Sequence, residues 1–309
     1  MVTGASSGIG RAVANQAARD GEHVVLVARG QQALDEAAAE CVGAGAASVV
    51  TLSADIGNDA DVARVVERTL TQHSRIDVLV NAAGVVAYGR AEEIPVEVFD
   101  AVIQTNLLGS INVARHALPV LRRQREGTLL FVGSVLGHVA VPTMSPYVIS
   151  KWGVRALARQ VSIENRDLPG IRVRYVAPGG VDTPIYEQAA NYAGFAGRPP
   201  PPASSPARTA GQVLRRLGRL PLPAQLSVFN HAMVFGFERL PHVYDALVTT
   251  LFPLGATDLD KPVEPGPGNV LESQPGGPQA TGAHDNQLAG IVGVARNVVL
   301  QARRGAAKG

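Results

Sequence analysis

Tyr147 and Lys151 lie four positions apart in the stretch YVISK (147–151). On a helix, positions i and i+4 share one face, so the two side chains would be neighbours. A tyrosine hydroxyl ordinarily has a pKa of about 10, and a nearby ammonium favours the phenolate. The spacing therefore predicts a general acid/base that can work near neutral pH.

A second stretch, TGASSGIG (3–10), predicts a turn that binds phosphate groups. Its glycines, Gly4, Gly8 and Gly10, allow a tight turn in which backbone N–H groups approach a pyrophosphate, and the following helix directs its positive end at that charge. Only Met1 and Val2 precede Thr3. We therefore expect that the natural protein begins a few residues upstream, or that the first strand is a truncated stub and the fold loses stability.

Arg29 follows the predicted second strand at the position where dinucleotide-binding folds contact the adenosine ribose. An acidic residue there favours NAD, and an arginine favours the 2′-phosphate of NADP. Arg29 therefore favours NADP(H) over NAD(H), and the alternative is an ordinary solvated arginine.

Short apolar runs alternate with helix-length segments over the first 190 residues. The runs, rich in β-branched residues, predict strands at 23–28, 48–52, 78–80, 128–132 and 173–176. Helices are predicted between them at 8–20, 31–44, 58–73, 96–123 and 145–167. This alternation indicates an α/β fold with a doubly wound parallel sheet and helices on both faces.

The chain changes character after Ile185. Within a main domain over 1–255, residues 186–206 are predicted to cover the substrate, and residues 207–255 to form C-terminal helices (207–219, 231–239 and 241–252) and an edge strand (225–229). Ten of the 21 residues from Pro262 to Gly282 are proline or glycine, which predicts a disordered linker over 256–286. Residues 287–309 read as an amphipathic basic helix.

The composition limits the cellular location and the kinds of binding partner that we expect. The net charge of +2 and the scattered basic residues give no reason to expect nucleic-acid binding. Cys41 is the lone cysteine and no cluster has metal-ligand spacing, so we expect no bound metal and a cytoplasmic location. The apolar C-terminal segments predict a homodimer or homotetramer interface. The alternative for the basic terminal helix is weak peripheral contact with an anionic membrane.

These motifs together resemble the short-chain dehydrogenase/reductase family, in its TGxxxGxG and YxxxK branch. The resemblance also includes AD (54–55), NAAG (81–84), TN (105–106), GS (133–134) and PG (178–179), and covers about residues 1–190. It implies a Rossmann-type fold and a catalytic tetrad of Asn106, Ser134, Tyr147 and Lys151.

The resemblance also implies a role for each member of the tetrad. Tyr147 would exchange a proton with the substrate oxygen, and Ser134 would hydrogen-bond the same oxygen. Lys151 would lower the tyrosine pKa and hold the nicotinamide ribose, and Asn106 would position a water in a proton relay.

The cofactor contacts that the resemblance and the turn imply lie along the carboxyl edge of the sheet. They are Thr3, Gly4, Ser6, Ser7, Gly8, Ile9, Gly10, Arg29, Asp55, Ile56, Asn81, Ala82, Ala83, Gly84, Tyr147, Lys151, Pro178, Gly179, Val181 and Thr183.

The function expected on this basis is an NADP(H)-dependent oxidoreductase acting on an alcohol or carbonyl compound. Tyr186, Tyr192 and Phe195 in the covering segment favour an apolar substrate. Two alternatives remain: a dinucleotide-binding sensor or scaffold without catalysis, and an enzyme acting on nucleotide-sugars. The retained tetrad argues against the first, and the glycine spacing against the second.

Overall fold

A parallel six-stranded sheet lies at the centre of the computed structural model, which describes residues 1–218 and 222–274. Its strands are β1 (Val2–Thr3), β2 (His23–Ala28), β3 (Ser48–Ser53), β4 (Val78–Asn81), β6 (Gly127–Val132) and β7 (Ile171–Val176), in the order β3-β2-β1-β4-β6-β7. The order reverses beside β1, and in such sheets ligands bind at the carboxyl ends of the strands near this point.

Helices cover both faces of the sheet, and the predicted fold class is confirmed. The first six are α1 (Gly8–Arg19), α2 (Gln31–Ala44), α3 (Asp59–His73), α4 (Val96–Ile103), α5 (Gly109–Gln124) and α6 (Ser145–Glu164). The last three are α7 (Pro206–Arg215), α8 (Val228–Arg239) and α9 (Pro241–Ala256). Apolar side chains of α1, α2 and α7 fill one side, and those of α3, α5 and α6 fill the other.

The first strand is as short as predicted, yet it pairs on both sides. Val2 lies opposite Leu26 of β2 and Val80 of β4. Met1 extends the pairing with β4, since its carbonyl accepts from Val80 N at 3.0 Å and its ammonium donates to Val78 O at 2.9 Å. Burial lowers the pKa of that ammonium to about 6.

The helix predicted over 96–123 is interrupted. A π-helical turn, Gln104–Leu108, separates α4 from α5. A π-helical turn inserts an extra residue into the helix, and such turns are frequent at functional sites.

The edge strand predicted over 225–229 is wrong. Only Gln225 forms a β-bridge, with Ala177 beside β7. The Ser227 side chain then accepts a hydrogen bond from Asn230 N at 3.2 Å and caps α8. A capping serine starts a helix at this point, so the strand cannot continue.

The structure describes residues 256–274 of the segment that was predicted to be a disordered linker (256–286), and in these residues the chain is folded. Thr257–Pro262 forms β10, antiparallel to β9 (Phe195–Gly197). Residues 263–274 then pack back onto the domain. Two further short strands, β5 (Ala87–Tyr88) and β8 (Ala190–Asn191), pair with each other. Residues 275–286 and the helix predicted over 287–309 lie outside the described residues.

In the part of the chain that the structure describes, no helix is both long and apolar enough to cross a membrane.

Candidate active site

The Tyr147 and Lys151 side chains meet on one face of α6, one turn apart. The Lys151 Nζ atom lies 5.4 Å from the centroid of the Tyr147 ring and donates to Val132 O, at the end of β6, at 3.3 Å. Lys151 is only 5% exposed. The ammonium is therefore held between the tyrosine and the carboxyl edge of the sheet.

Burial dominates the titration of both groups. It raises the pKa of Tyr147 to about 12, although a hydrogen bond with the Ser134 side chain opposes the rise. It lowers the pKa of Lys151 to about 8. The pKa of Tyr147 is therefore raised and not lowered as the spacing predicted, because the site that brings the tyrosine and the lysine together also removes both from water.

Ser134 lies two residues beyond β6, at the start of a 3₁₀ turn (Val135–Gly137). Its hydroxyl oxygen accepts from Leu136 N at 3.1 Å and hydrogen-bonds Tyr147. The Tyr175 hydroxyl donates to the Ser134 carbonyl at 3.2 Å. These bonds fix the serine hydroxyl beside the Tyr147 hydroxyl.

Asn106 lies in the π-helical turn and holds the backbone that follows β4. Its amide group donates to Val85 O at 2.9 Å and its Oδ1 accepts from Val85 N at 2.8 Å. The same amide donates to the Ser150 hydroxyl, which in turn donates to Tyr147 O. Asn106 thus links the strand end to the tyrosine helix.

Gly84 shows how closely these elements converge. A Cβ atom placed on Gly84 would lie 3.2 Å from Asn106 Oδ1 and 3.5 Å from Lys151 Nζ. The structure therefore brings together the four side chains predicted as a tetrad.

A buried hydrogen-bonded chain connects this group to the glycine turn. Thr3 Oγ1 donates to Asn81 Oδ1 at 2.6 Å, Asn81 Nδ2 donates to the Ser110 hydroxyl at 2.9 Å, and that hydroxyl donates to Asn106 O at 2.6 Å. Sequence reasoning missed Ser110, Ser150 and Tyr175. Of these three residues, only Ser110 could have been found from the sequence, because it lies four residues after Asn106.

The glycine turn is closely packed. A Cβ on Gly10 would lie 2.2 Å from Gly4 O, and one on Gly4 would lie 2.7 Å from Ala83 N, with Gly4 at a φ of +66°. No side chain caps the N-terminus of α1 at Ser7, and its first turn has no acidic residue. The turn thus presents backbone N–H groups to an anion.

The segment 178–183 packs against this turn. A Cβ on Gly8 would lie 3.1 Å from Thr183 Cβ, and Val135 N donates to Pro178 O at 2.8 Å. Asn230 of α8 lies against the segment: its amide donates to Ala177 O at 2.9 Å, just before the segment, and its Oδ1 would lie 2.7 Å from a Cβ placed on Gly179. Sequence reasoning missed Asn230, which lies more than 50 residues away along the chain.

The remaining residues predicted to bind a cofactor also lie along this edge. Ser6, Ser7, Ile9, Ala82, Ala83 and Gly179 are half-buried, and Val181 is buried. Asp55 Oδ1 accepts from Gly57 N at 2.8 Å, and Ile56 belongs to the core beside α5. Arg29 does not face open solvent: its guanidinium donates to the carbonyls of Asn269 and Val270.

Tyr147 packs against an apolar cluster formed by the loops after β4 and β6. The buried members of this cluster include Val86, Leu136 and Met144, and Val141, Ile185 and Tyr186 pack against it as well. A separate cavity of about 250 Å³ lies between Tyr186, Gly197 and Lys261. Tyr147 does not line this cavity, so it is not the site of the tetrad.

Comparison with known proteins assigns the chain to one family. The sequence model described as "short chain dehydrogenase" matches residues 1–192. The chain is 34% identical over 193 residues to sepiapterin reductase of Chlorobaculum tepidum, covering 60% of this chain and 78% of that protein. It is 33% identical over 191 residues to D-beta-hydroxybutyrate dehydrogenase of Rhizobium meliloti, covering 61% and 73%.

A solved structure agrees with the family match. An alcohol dehydrogenase from the archaeon Thermococcus sibiricus, complexed with 5-hydroxy-NADP, superposes with a TM-score of 0.63 at 30% identity, covering 73% of this chain and 93% of that one. The protein therefore belongs to the short-chain dehydrogenase family and is a dinucleotide-dependent oxidoreductase.

Proposed function

We propose that the protein reduces an apolar ketone or aldehyde to the alcohol with NADPH, and catalyses the reverse reaction with NADP⁺. The observation that carries this proposal is the convergence of Tyr147, Ser134 and Lys151 at the carboxyl edge of the sheet, next to the apolar cluster against which the tyrosine packs.

The residues present fit a nicotinamide dinucleotide. A Cβ at Gly4 or Gly10 would collide with backbone atoms, and the N-terminus of α1 is uncapped, which suits a closely approaching pyrophosphate. Lys151 and Thr183 would hold the nicotinamide end. Arg29 would hold the adenosine 2′-phosphate at the other end.

The protein's own groups would handle the proton and the developing charge. A nicotinamide dinucleotide, when bound, supplies the hydride that the carbonyl carbon accepts. Tyr147 would donate its hydroxyl proton to the carbonyl oxygen, and Ser134 would hydrogen-bond the same oxygen. The Lys151 ammonium would stabilise the phenolate that forms. With its pKa raised to about 12, Tyr147 is neutral at pH 7, which suits a proton donor.

NADP(H) is proposed over NAD(H) because of Arg29. A guanidinium forms strong, often bidentate bonds with phosphate. The NADP analogue in the Thermococcus alcohol dehydrogenase is consistent with this preference.

A cofactor and substrate screen tests the proposed function. We expect the wild type to oxidise NADPH with a kcat/KM at least tenfold that for NADH, and to prefer apolar ketones over keto acids and phosphorylated carbonyls. Arg29→Gln should lower the NADPH/NADH ratio by about tenfold or more, because it removes hydrogen bonds to a charged group. Turnover restricted to anionic carbonyls, or an unchanged ratio in the variant, would overturn the corresponding part of the proposal.

The rate of carbonyl reduction should fall as pH rises through about 8. The protonated Lys151 stabilises the tyrosine phenolate, and its pKa is lowered to about 8. Below that pH the ammonium is present and kcat/KM should be flat. Above it the charge is lost while Tyr147 remains protonated. The pH profile of kcat/KM measures this, and Lys151→Met should lower the rate and remove the inflection. A wild-type profile that stays flat well above pH 8 would contradict this role for Lys151.

We also propose that the protein forms a homodimer or a homotetramer. This proposal is supported by Val243, Leu247 and Leu251, spaced four apart along α9, each of which is more than half exposed. The cytoplasmic location stays a prediction from composition.

A further inference from the structure

The Arg29 guanidinium is already bound by a segment from the far end of the described chain. One Nη atom donates to Val270 O at 3.1 Å and the other donates to Asn269 O. Ser273 Oγ would lie 3.7 Å from a Cβ placed on Gly30. Residues 266–273, which we call the strap, therefore lie against the end of β2 where the proposed function places the adenosine ribose.

The other end of the strap is joined to the covering segment. Gly266 and Asn191 exchange two backbone hydrogen bonds, of 2.9 and 3.0 Å. Asn269 N donates to Gln188 O at 2.8 Å, and the Asn269 side chain donates to Gln188 Oε1 at 3.0 Å. A Cβ on Gly268, whose φ is +53°, would lie 2.4 Å from the carbonyls of residues 188 and 189. The strap thus runs from the covering segment to Arg29.

Val270 anchors the middle of the strap. It is 1% exposed and packs in a cluster with Val85, Val98 and Val102. Val85 directly follows the NAAG segment, so this cluster borders the proposed cofactor cleft. By contrast, the neighbouring Leu271 is 45% exposed.

We propose that the strap is an autoinhibitory segment that competes with the adenosine end of the dinucleotide for Arg29. This inference rests on the proposed function. The Asn269 and Val270 carbonyls accept from both Nη atoms of Arg29, and the strap fills the space at the end of β2 where the 2′-phosphate would lie, so the cofactor must displace the strap. A phosphate carries a full negative charge and forms stronger bonds with a guanidinium than neutral carbonyls do, which makes displacement by NADP(H) feasible.

Releasing the strap should tighten cofactor binding. An apparent Kd equals the intrinsic Kd divided by the fraction of molecules that are competent to bind. Val270→Asp places a carboxylate in an apolar cluster and should free the strap, lowering the Kd for NADPH by about tenfold or more, because two hydrogen bonds to a charged group no longer have to be broken. Leu271→Asp is the matched control and should leave the Kd within about twofold of the wild type, since Leu271 is exposed. Titration calorimetry on the full chain measures both.

Hydrogen exchange of the wild type tests the same inference without a substitution. Saturating NADPH should increase exchange at the Asn269 and Val270 amides, because the strap is displaced. Protection of these amides, or an unchanged Kd in a folded Val270→Asp variant, would show that the strap is part of the cofactor site or irrelevant to it, and would overturn the inference. Failure of every form to bind NADPH or NADH would overturn the proposed function together with this inference.

Discussion

Tyr147→Phe should lower kcat/KM for carbonyl reduction by about a thousandfold, because it removes the general acid and leaves the rest of the site in place. The phenylalanine ring preserves the packing beneath Lys151, whose Nζ lies 5.4 Å from the ring centroid. Ser134 remains able to hydrogen-bond the substrate oxygen, so some activity above background is expected. Steady-state kinetics with NADPH and the preferred ketone measure the loss.

A matched control removes a tyrosine hydroxyl elsewhere. The Tyr244 hydroxyl donates to Ala140 O at 2.9 Å. Tyr244→Phe should destabilise the fold by about 1 kcal/mol, the value of one hydrogen bond, with kcat/KM within about threefold of the wild type. A Tyr147→Phe variant that is folded, binds NADPH and keeps more than a tenth of the activity would rule out Tyr147 as the essential acid.

Gly10→Ala should weaken NADPH binding by about a hundredfold, as expected when a misplaced loop disturbs a binding geometry. A methyl group at this position would lie 2.2 Å from Gly4 O, so the glycine turn must move away from α1. Overpacking of this kind should also destabilise the fold by about 2 kcal/mol. Calorimetric titration and thermal unfolding measure the two effects.

Gly43→Ala is the control for the second prediction. Gly43 lies in α2, and nothing lies within 4 Å of a Cβ placed there. Alanine at an unobstructed helical position stabilises a protein by about 0.5–1 kcal/mol, so this variant should melt slightly higher and bind NADPH normally. Normal binding by Gly10→Ala would show that the turn does not hold the pyrophosphate.

Local patterns predicted the parts of the site whose residues are close together in sequence. The YVISK spacing places Tyr147 and Lys151 on one helix face, and the alternation of apolar runs with helices predicts the parallel sheet. The glycine turn could be predicted because its function demands residues without side chains.

Contacts between distant residues could not be predicted in this way. Asn230 supports residues 177–179 from another helix, and the strap reaches Arg29 across some 240 positions. The proline and glycine content of 262–282 predicted disorder, yet Val270 is buried because a single apolar side chain can anchor a loop in an existing cluster. The titration of Tyr147 depends on burial, which the YxxxK spacing does not reveal.

The most direct test of the proposed reaction follows deuterium from NADPH into the product. The wild type is incubated with an apolar ketone from the screen and NADPH carrying deuterium at the transferable nicotinamide position, and the product is examined by mass spectrometry. The proposed function predicts an alcohol with one deuterium on the carbinol carbon, formed in step with NADPH oxidation and almost absent with Tyr147→Phe. A folded wild type that binds NADPH but forms no deuterated alcohol from any carbonyl compound in the panel would contradict it.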